Sequence, residues 1–203
     1  MSDQPTEHLE TELKFETGPG FVFPDLSGLA GGSAVTEPEV RLLTASFFDT
    51  PDLRLANAKI TLRRRTGGTD AGWHLKLPLA AGSRRELAEP LGEEATTVPP
   101  ALVSLVSDQV GDQPLGVVAV LETRRTVRNI TAPGGEILAE VADDQVTGRR
   151  PGVGEPLTWR EIEVELVSGG AEILAAARAR LTAAGAWLSD SPSKLSRVLS
   201  RSS

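Results

Sequence analysis

The sequence predicts an α+β protein in which one antiparallel sheet dominates, closes into a barrel with charged groups pointing inward, and is flanked by a few helices. Three observations carry this. Segments of period two recur along the chain, the signature of strands. Gly- and Pro-containing turn signals separate them at short intervals, as hairpin connections require. Charged residues gather on one face of strand after strand, including Glu161, Glu163 and Glu165 at successive same-face positions.

Residues 9–15 alternate, with Glu10, Glu12 and Lys14 on one side and Leu9, Leu13 and Phe15 among those on the other. A Gly/Pro-rich loop follows through residues 18–20 and 31–33, with a short helix expected between. Residues 40–48 read as a second strand, ended by the turn signal Asp49-Thr50-Pro51. Residues 59–65, 72–78 and 83–90 give three more strands. Residues 99–110 carry helical spacing at Leu102, Leu105 and Val106, with prolines before and Gly111 after. Longer strands fit 117–130, 136–146 and 157–167. An Ala- and Leu-rich helix spans 171–184, and 193–200 reads as strand or helix.

The 203 residues suit one domain, residues 1–203, with a real core. Aromatics make up only 4% and tyrosine is absent, so the core rests on Leu, Val, Ala and Ile. A net charge of −7 argues against binding nucleic acid by blanket phosphate neutralisation. The absence of cysteine excludes disulfides, thiolate metal sites and cysteine nucleophiles, and His8 and His74 are too few for a His-rich zinc site. A metal here is held by carboxylates, hence a hard ion, Mg2+ or Mn2+. The polar first residues lack a signal peptide's apolar stretch, and no run approaches the roughly 20 apolar residues that span a bilayer. The chain is expected to be cytoplasmic, with no membrane partner.

For any single strand, a charged face is most simply a solvated face. For the set that account weakens, because Glu-x-Glu-x-Glu on one face repels itself and serves solubility poorly. Arg63 and Arg65 share a face opposite Leu62, and His74 and Lys76 oppose Trp73, Leu75 and Leu77. Glu122, Arg124, Thr126 and Arg128 alternate along one strand, and Glu140, Ala142 and Asp144 along the next. Turned inward, these faces form a lumen with carboxylate clusters and a basic ring. A metal-bound triphosphate satisfies both signs, whereas an unfilled lumen of like charges is costly.

The motifs resemble those of the CYTH superfamily, the triphosphate tunnel metalloenzymes. They begin with Glu10-x-Glu12-x-Lys14 and continue through Phe47-Phe48-Asp49-Thr50-Pro51, Leu62-Arg63-Arg64-Arg65, Trp73-His74-Leu75-Lys76 and Arg84-Arg85-Glu86. Thr123-Arg124-Arg125-Thr126, Glu140 to Asp144, Glu161-Ile162-Glu163-Val164-Glu165 and Ser193-Lys194 follow in family order. The resemblance implies an eight-stranded antiparallel tunnel. It implies that Lys14, Arg63, Arg65, Lys76, Arg84, Arg124 and Lys194 grip phosphate, with Arg128 added by alternation. It implies a main metal site of Asp144, Glu161 and Glu163, and Glu10 and Glu12 at a second metal or the attacking water. Glu86, Glu140 and Glu165 would hold basic residues in position. Alternation alone selects Arg124 over Arg125, and a bulge would exchange them.

His74 reads as a structural hydrogen-bonder, Asp49 as a turn cap, and Trp73, Trp159 and Trp187 as outer packing under helices. The implied activity is metal-dependent water attack on the terminal phosphoryl group of a short linear triphosphate, with Glu10, Glu12 and Lys14 at the reaction centre. Tripolyphosphate is the first choice, with thiamine triphosphate and nucleoside triphosphates open. The alternatives are a class IV adenylate cyclase acting on ATP and a non-catalytic polyphosphate-binding module.

Overall fold

The computed structural model describes residues 6–79, 84–92 and 96–200, and side chains within these except those of residues 6–10 and 84. The first strand is one extended run interrupted at Thr11, giving β1 (Thr6–Glu10) and β2 (Glu12–Glu16). There follow β3 (Ala34–Val35), β4 (Glu39–Asp49), α1 (Arg54–Asn57), β5 (Thr61–Thr66), β6 (Gly72–Pro78) and β7 (Arg84–Glu89). The second half holds α2 (Pro100–Leu105), α3 (Ser107–Val110), β8 (Gly116–Thr131), β9 (Ile137–Arg150), β10 (Val153–Leu166), α4 (Ala171–Ala183), β11 (Trp187–Leu188) and α5 (Lys194–Leu199).

The sheet runs β1-β7-β6-β5-β4-β8-β9-β10-β2-β11, every described pairing antiparallel. Its two ends meet in the first strand. β1 pairs with β7 from Thr6↔Ala88 to Glu10↔Arg84, and β2 pairs with β10 from Glu12↔Glu165 to Glu16↔Glu161. At the interruption Thr11 O still accepts from Leu166 N at 3.0 Å. With β1 and β2 taken as one strand, and the two-residue β3 and β11 set aside, eight antiparallel strands form a ring.

Period-two alternation gives each strand a lumen face and an outer face, and helices cover much of the outer one. Phe15, Ile130, Val141, Ile162 and Val164 point outward against Ile173, Leu174, Ala177 and Leu181 of α4 and against Phe21 and Leu26 of the preceding loop. On the opposite side Leu62, Trp73, Leu75 and Leu87 pack under Leu55, Leu102, Val106 and Val110 of α1, α2 and α3. Full burial of side chains such as Leu102 and Val106 stabilises by about 1.5–3 kcal/mol each. A third cluster lies inside one end of the ring. There Ala45, Phe47, Ala119, Leu121 and Val146 meet Leu195 and Val198, so α5 stops that end.

Several expectations change. The loop before β3 contains turns and bends but no helix. Residues 99–110 form two short helices, because Val106 adopts φ −120°, outside the helical range. A turn of helix, α1, occupies residues 54–57, where none was expected; buried Asp49 anchors it by accepting from Leu55 N and Ala56 N, each at 2.9 Å. Residues 193–200 hold a helix, with Ser193 Oγ accepting from Ser196 N at 3.0 Å as its cap. Trp159 lies against α5 rather than under an outer helix, and Trp187 is half exposed.

Candidate active site in the tunnel

The lumen faces of β2, β4, β5, β6, β7, β8, β9 and β10, together with α5, enclose a cavity of about 200 Å3. Its walls carry both signs. Lys14, Arg63, Arg65, Lys76, Arg125 and Lys194 line it, and so do Glu12, Asp70, Glu86, Glu140, Glu163 and Glu165. Antiparallel register explains the layering, since residues opposite each other share a face. Thus Arg63↔His74, Lys76↔Glu86 and Glu163↔Lys14 become neighbours across adjacent strands.

Three carboxylates form one cluster. Oxygens of Asp144, Glu161 and Glu163 all lie within 4.8 Å of one another, with Asp144 fully buried. Arg125 closes one side in fork geometry, Nε donating to Asp144 Oδ1 at 2.8 Å and Nη2 to Asp144 Oδ2 and Glu163 Oε2 at 2.7 Å each. Lys194 Nζ lies 3.0 Å from Asp144 Oδ2, 2.6 Å from Glu161 Oε1 and 2.8 Å from Glu163 Oε1. Burial alone would raise Glu163, but Lys194, Lys14 and Arg125 outweigh it and hold its carboxyl well below the usual range. Burial likewise works against the Lys194 ammonium, yet Glu163, Asp144 and Glu161 keep it above its ordinary value.

The triad's chemistry suits a hard divalent ion: three oxygen donors at one point and no softer ligand. Glu161 is held on both oxygens, Oε1 by the Lys194 ammonium and Oε2 by accepting from Trp159 Nε1 at 2.5 Å.

The basic ring sits across the lumen. Arg65 is nearly buried, and burial together with Arg63 lowers its guanidinium to about 10. Its Nη1 pairs with Asp70 from the β5–β6 turn, while the buried Nε atoms of Arg63 and Arg65 have no acceptor among the described residues. Glu86 is the hub that spaces this ring. Its Oε1 is 2.8 Å from His74 Nδ1 and 3.6 Å from Arg63 Nη2, and its Oε2 is 3.5 Å from Lys76 Nζ. His74 Nε2 meets Asp70 O at 2.9 Å, so both ring nitrogens are engaged by protein and the residue is structural.

Of the residues expected in the lumen, Glu12, Lys14, Arg63, Arg65, Lys76 and Lys194 line the cavity with Glu163, and Asp144 and Glu161 stand beside it. The side chains of Glu10 and Arg84 lie outside those described; the backbone register sets the two residues opposite each other. Two expectations fail. Arg124 is exposed on the outer face and Arg125 takes the lumen position. Arg128 also faces outward, its guanidinium 4.4 Å from the Phe23 ring centre. The parity error has a physical source. β8 turns Leu121, Thr123 and Arg125 inward because its inner end must pack on α5, while Glu122, bonded to Arg149 at 2.9 Å, is an ordinary solvated position. Asp70 and Arg41 were missed: Asp70 lies in the β5–β6 turn, where alternation carries no information, and Arg41 shares its face of β4 with the apolar Leu43, Ala45 and Phe47.

The family model for the CYTH domain matches residues 8–199. Uncharacterised proteins from two Mycobacterium tuberculosis strains, CDC 1551 and H37Rv, are each 39% identical over 98% of this chain. The match covers 42% of each, so this chain spans less than half the length of those relatives. Among solved structures, an adenylate cyclase candidate from Bacillus halodurans superposes with a TM-score of 0.66 at 17% identity, covering 96% of this chain and 99% of its own. An adenylyl cyclase candidate from Hippeastrum with dominant triphosphatase activity superposes with a TM-score of 0.53 at 20% identity, covering 94% and 95%. These two similarities establish the shared fold.

Proposed function

On the premise that this chain belongs to the CYTH family, as the match over residues 8–199 establishes, we propose that it hydrolyses the terminal phosphoryl group of a short linear triphosphate with a divalent metal ion. One observation carries the reading: the carboxylate triad and a basic ring of Lys14, Arg63, Arg65 and Lys76 meet at one cavity.

Asp144, Glu161 and Glu163 would hold the ion, Mg2+ or Mn2+, which when bound offsets phosphate charge and favours departure of the leaving group. Arg63, Arg65, Lys76 and Lys14 bind the non-bridging oxygens, and Glu86 keeps three of the surrounding side chains at fixed spacing. Arg84 is proposed as a further phosphate-binding residue on the resemblance of Arg84-Arg85-Glu86 to the family's motif. Glu12, 3.1 Å from Lys14 Nζ, orients the attacking water and accepts its proton, with Glu10 beside it in sequence. Arg125 keeps Asp144 and Glu163 in place. Tripolyphosphate is favoured over larger triphosphates because the aromatic rings among the described residues lining the cavity, Phe47 and the His74 imidazole, are both buried, leaving no platform for a base.

The test is phosphate release from tripolyphosphate, thiamine triphosphate and ATP, with Mg2+ or Mn2+ and then with EDTA. Turnover abolished by EDTA and by Glu161→Gln with Glu163→Gln is expected. Full activity in that double variant refutes the metal assignment. Cyclic AMP formed from ATP would move the chain to the cyclases, and tight binding without turnover would make it a binding module.

A further inference from the structure

Lys194 stands where a metal ion would stand. Its ammonium is within 3.0 Å of an oxygen on each of Asp144, Glu161 and Glu163, the three carboxylates that converge on one point. An ammonium is a compact charge with three donors, which is what a three-carboxylate pit accepts in place of an ion. One pit of this size does not hold both.

We propose that Lys194 is the internal cation of this site: it fills the carboxylate triad when the tunnel is empty and yields it to a divalent ion when an anion takes over its charge. The inference rests on the reading of the triad as a metal site. Lys194 and Arg125 leave one negative charge on the three carboxylates, against which Lys14 stands while shared with Glu12, and a divalent ion with Arg125 balances the three without Lys194. Removing Lys194 with no replacement would strand buried carboxylates, so the exchange needs a metal ion for the triad and a new partner for the ammonium. The cavity supplies that partner's place, since Lys194 lines it together with Arg63 and Arg65. The geometry permits the move. Lys194 is the first residue of α5, so its flexible four-carbon stem can swing while Leu195 and Val198 stay packed.

Two consequences follow. The metal affinity of the empty protein is reduced by the fraction of time that Lys194 leaves the pit. Metal and anion bind with positive coupling that passes through this residue.

The experiment measures Mn2+ binding by calorimetry and electron paramagnetic resonance, for the wild type and Lys194→Met, with and without an imido analogue of tripolyphosphate. Without the analogue, Lys194→Met is expected to bind Mn2+ at least about tenfold more tightly than wild type, and the analogue should enhance Mn2+ binding less in the variant. Equal or weaker Mn2+ binding by the variant overturns the inference while leaving the metal site intact. No Mn2+ binding by either protein in any arm refutes the metal site itself. A variant that folds only with Mn2+ supports the inference. If it does not fold at all, the wild type decides, through the ammonium resonance of Lys194 in a lysine-15N-labelled sample. Mg2+ alone should leave that resonance in place and Mg2+ with the analogue should shift it; an equal shift from Mg2+ alone overturns the inference.

Discussion

Replacing Arg125 by Ala should be among the most damaging single changes in the lumen, and replacing its neighbour Arg124 should be nearly silent. Arg125 is 13% exposed and makes three charge-assisted hydrogen bonds of 2.7–2.8 Å to Asp144 and Glu163. Breaking a buried pair by deleting one partner costs about 3–5 kcal/mol, because the charge left behind has no compensation. For a chain of this size, with about 2–4 °C lost per kcal/mol, that becomes a fall in Tm of roughly 10 °C. Arg124 is exposed, so Arg124→Ala should stay within about 0.5 kcal/mol of wild type. Thermal unfolding by circular dichroism, with phosphate release from tripolyphosphate in parallel, reads both. The difference has a pH signature. Glu163 is held below its ordinary value, so the stability it contributes is complete above the unfolded pKa of about 4.3 and is lost as pH falls through the folded value. The gap between wild type and Arg125→Ala should therefore narrow only in acid. Equal damage from the two substitutions would refute the register and the inward assignment of Arg125.

Arg128→Ala should lose the stacking on Phe23, worth about 0.5–1 kcal/mol at an accessible site, and leave the KM for tripolyphosphate unchanged; a large rise in KM would return this residue to the lumen. Glu86→Gln should raise KM more than it lowers kcat, because it loosens Arg63, His74 and Lys76 together, and steady-state kinetics would expose a pure kcat effect as contrary. Gly67→Ala should destabilise by more than about 1 kcal/mol in urea titration, since φ is +79° there and a Cβ would collide with Leu42 O; a wild-type midpoint would contradict the turn's geometry.

Alternation made most of this protein readable. Glu12 and Lys14, Arg63 and Arg65, His74 and Lys76, and the glutamates of β10 all take the lumen side that period two assigns, because each strand's other face is apolar and covered. The rule failed on β8, where neither face announces itself. Leu121 and Thr123 point inward because α5 needs an apolar seat, and Glu122 and Arg124 point to solvent. Nothing local in the sequence records that a helix some 70 residues later stops the tunnel at that end. Asp70 illustrates a different limit. Its pairing with Arg65 depends on the β5–β6 turn folding back over the lumen, a tertiary fact with no periodic signal.

The internal pairing explains how such a lumen survives empty. Buried charges without partners would cost several kcal/mol each, so the protein supplies its own counterions: Lys194 and Arg125 for the triad, Glu86 and Asp70 for the basic ring. Every triphosphate that binds therefore competes with contacts already made, and its affinity is the difference between two sets of ion pairs rather than the sum of one. That difference favours a ligand bringing both signs at once. A bare polyanion frees Glu86 and Asp70 from their cations and leaves the triad as it was, and a bare metal ion must evict Lys194 with nothing to receive it. On the proposed function, a metal-bound triphosphate would exchange both sets together, and the two-signed lumen would select the complex over either component.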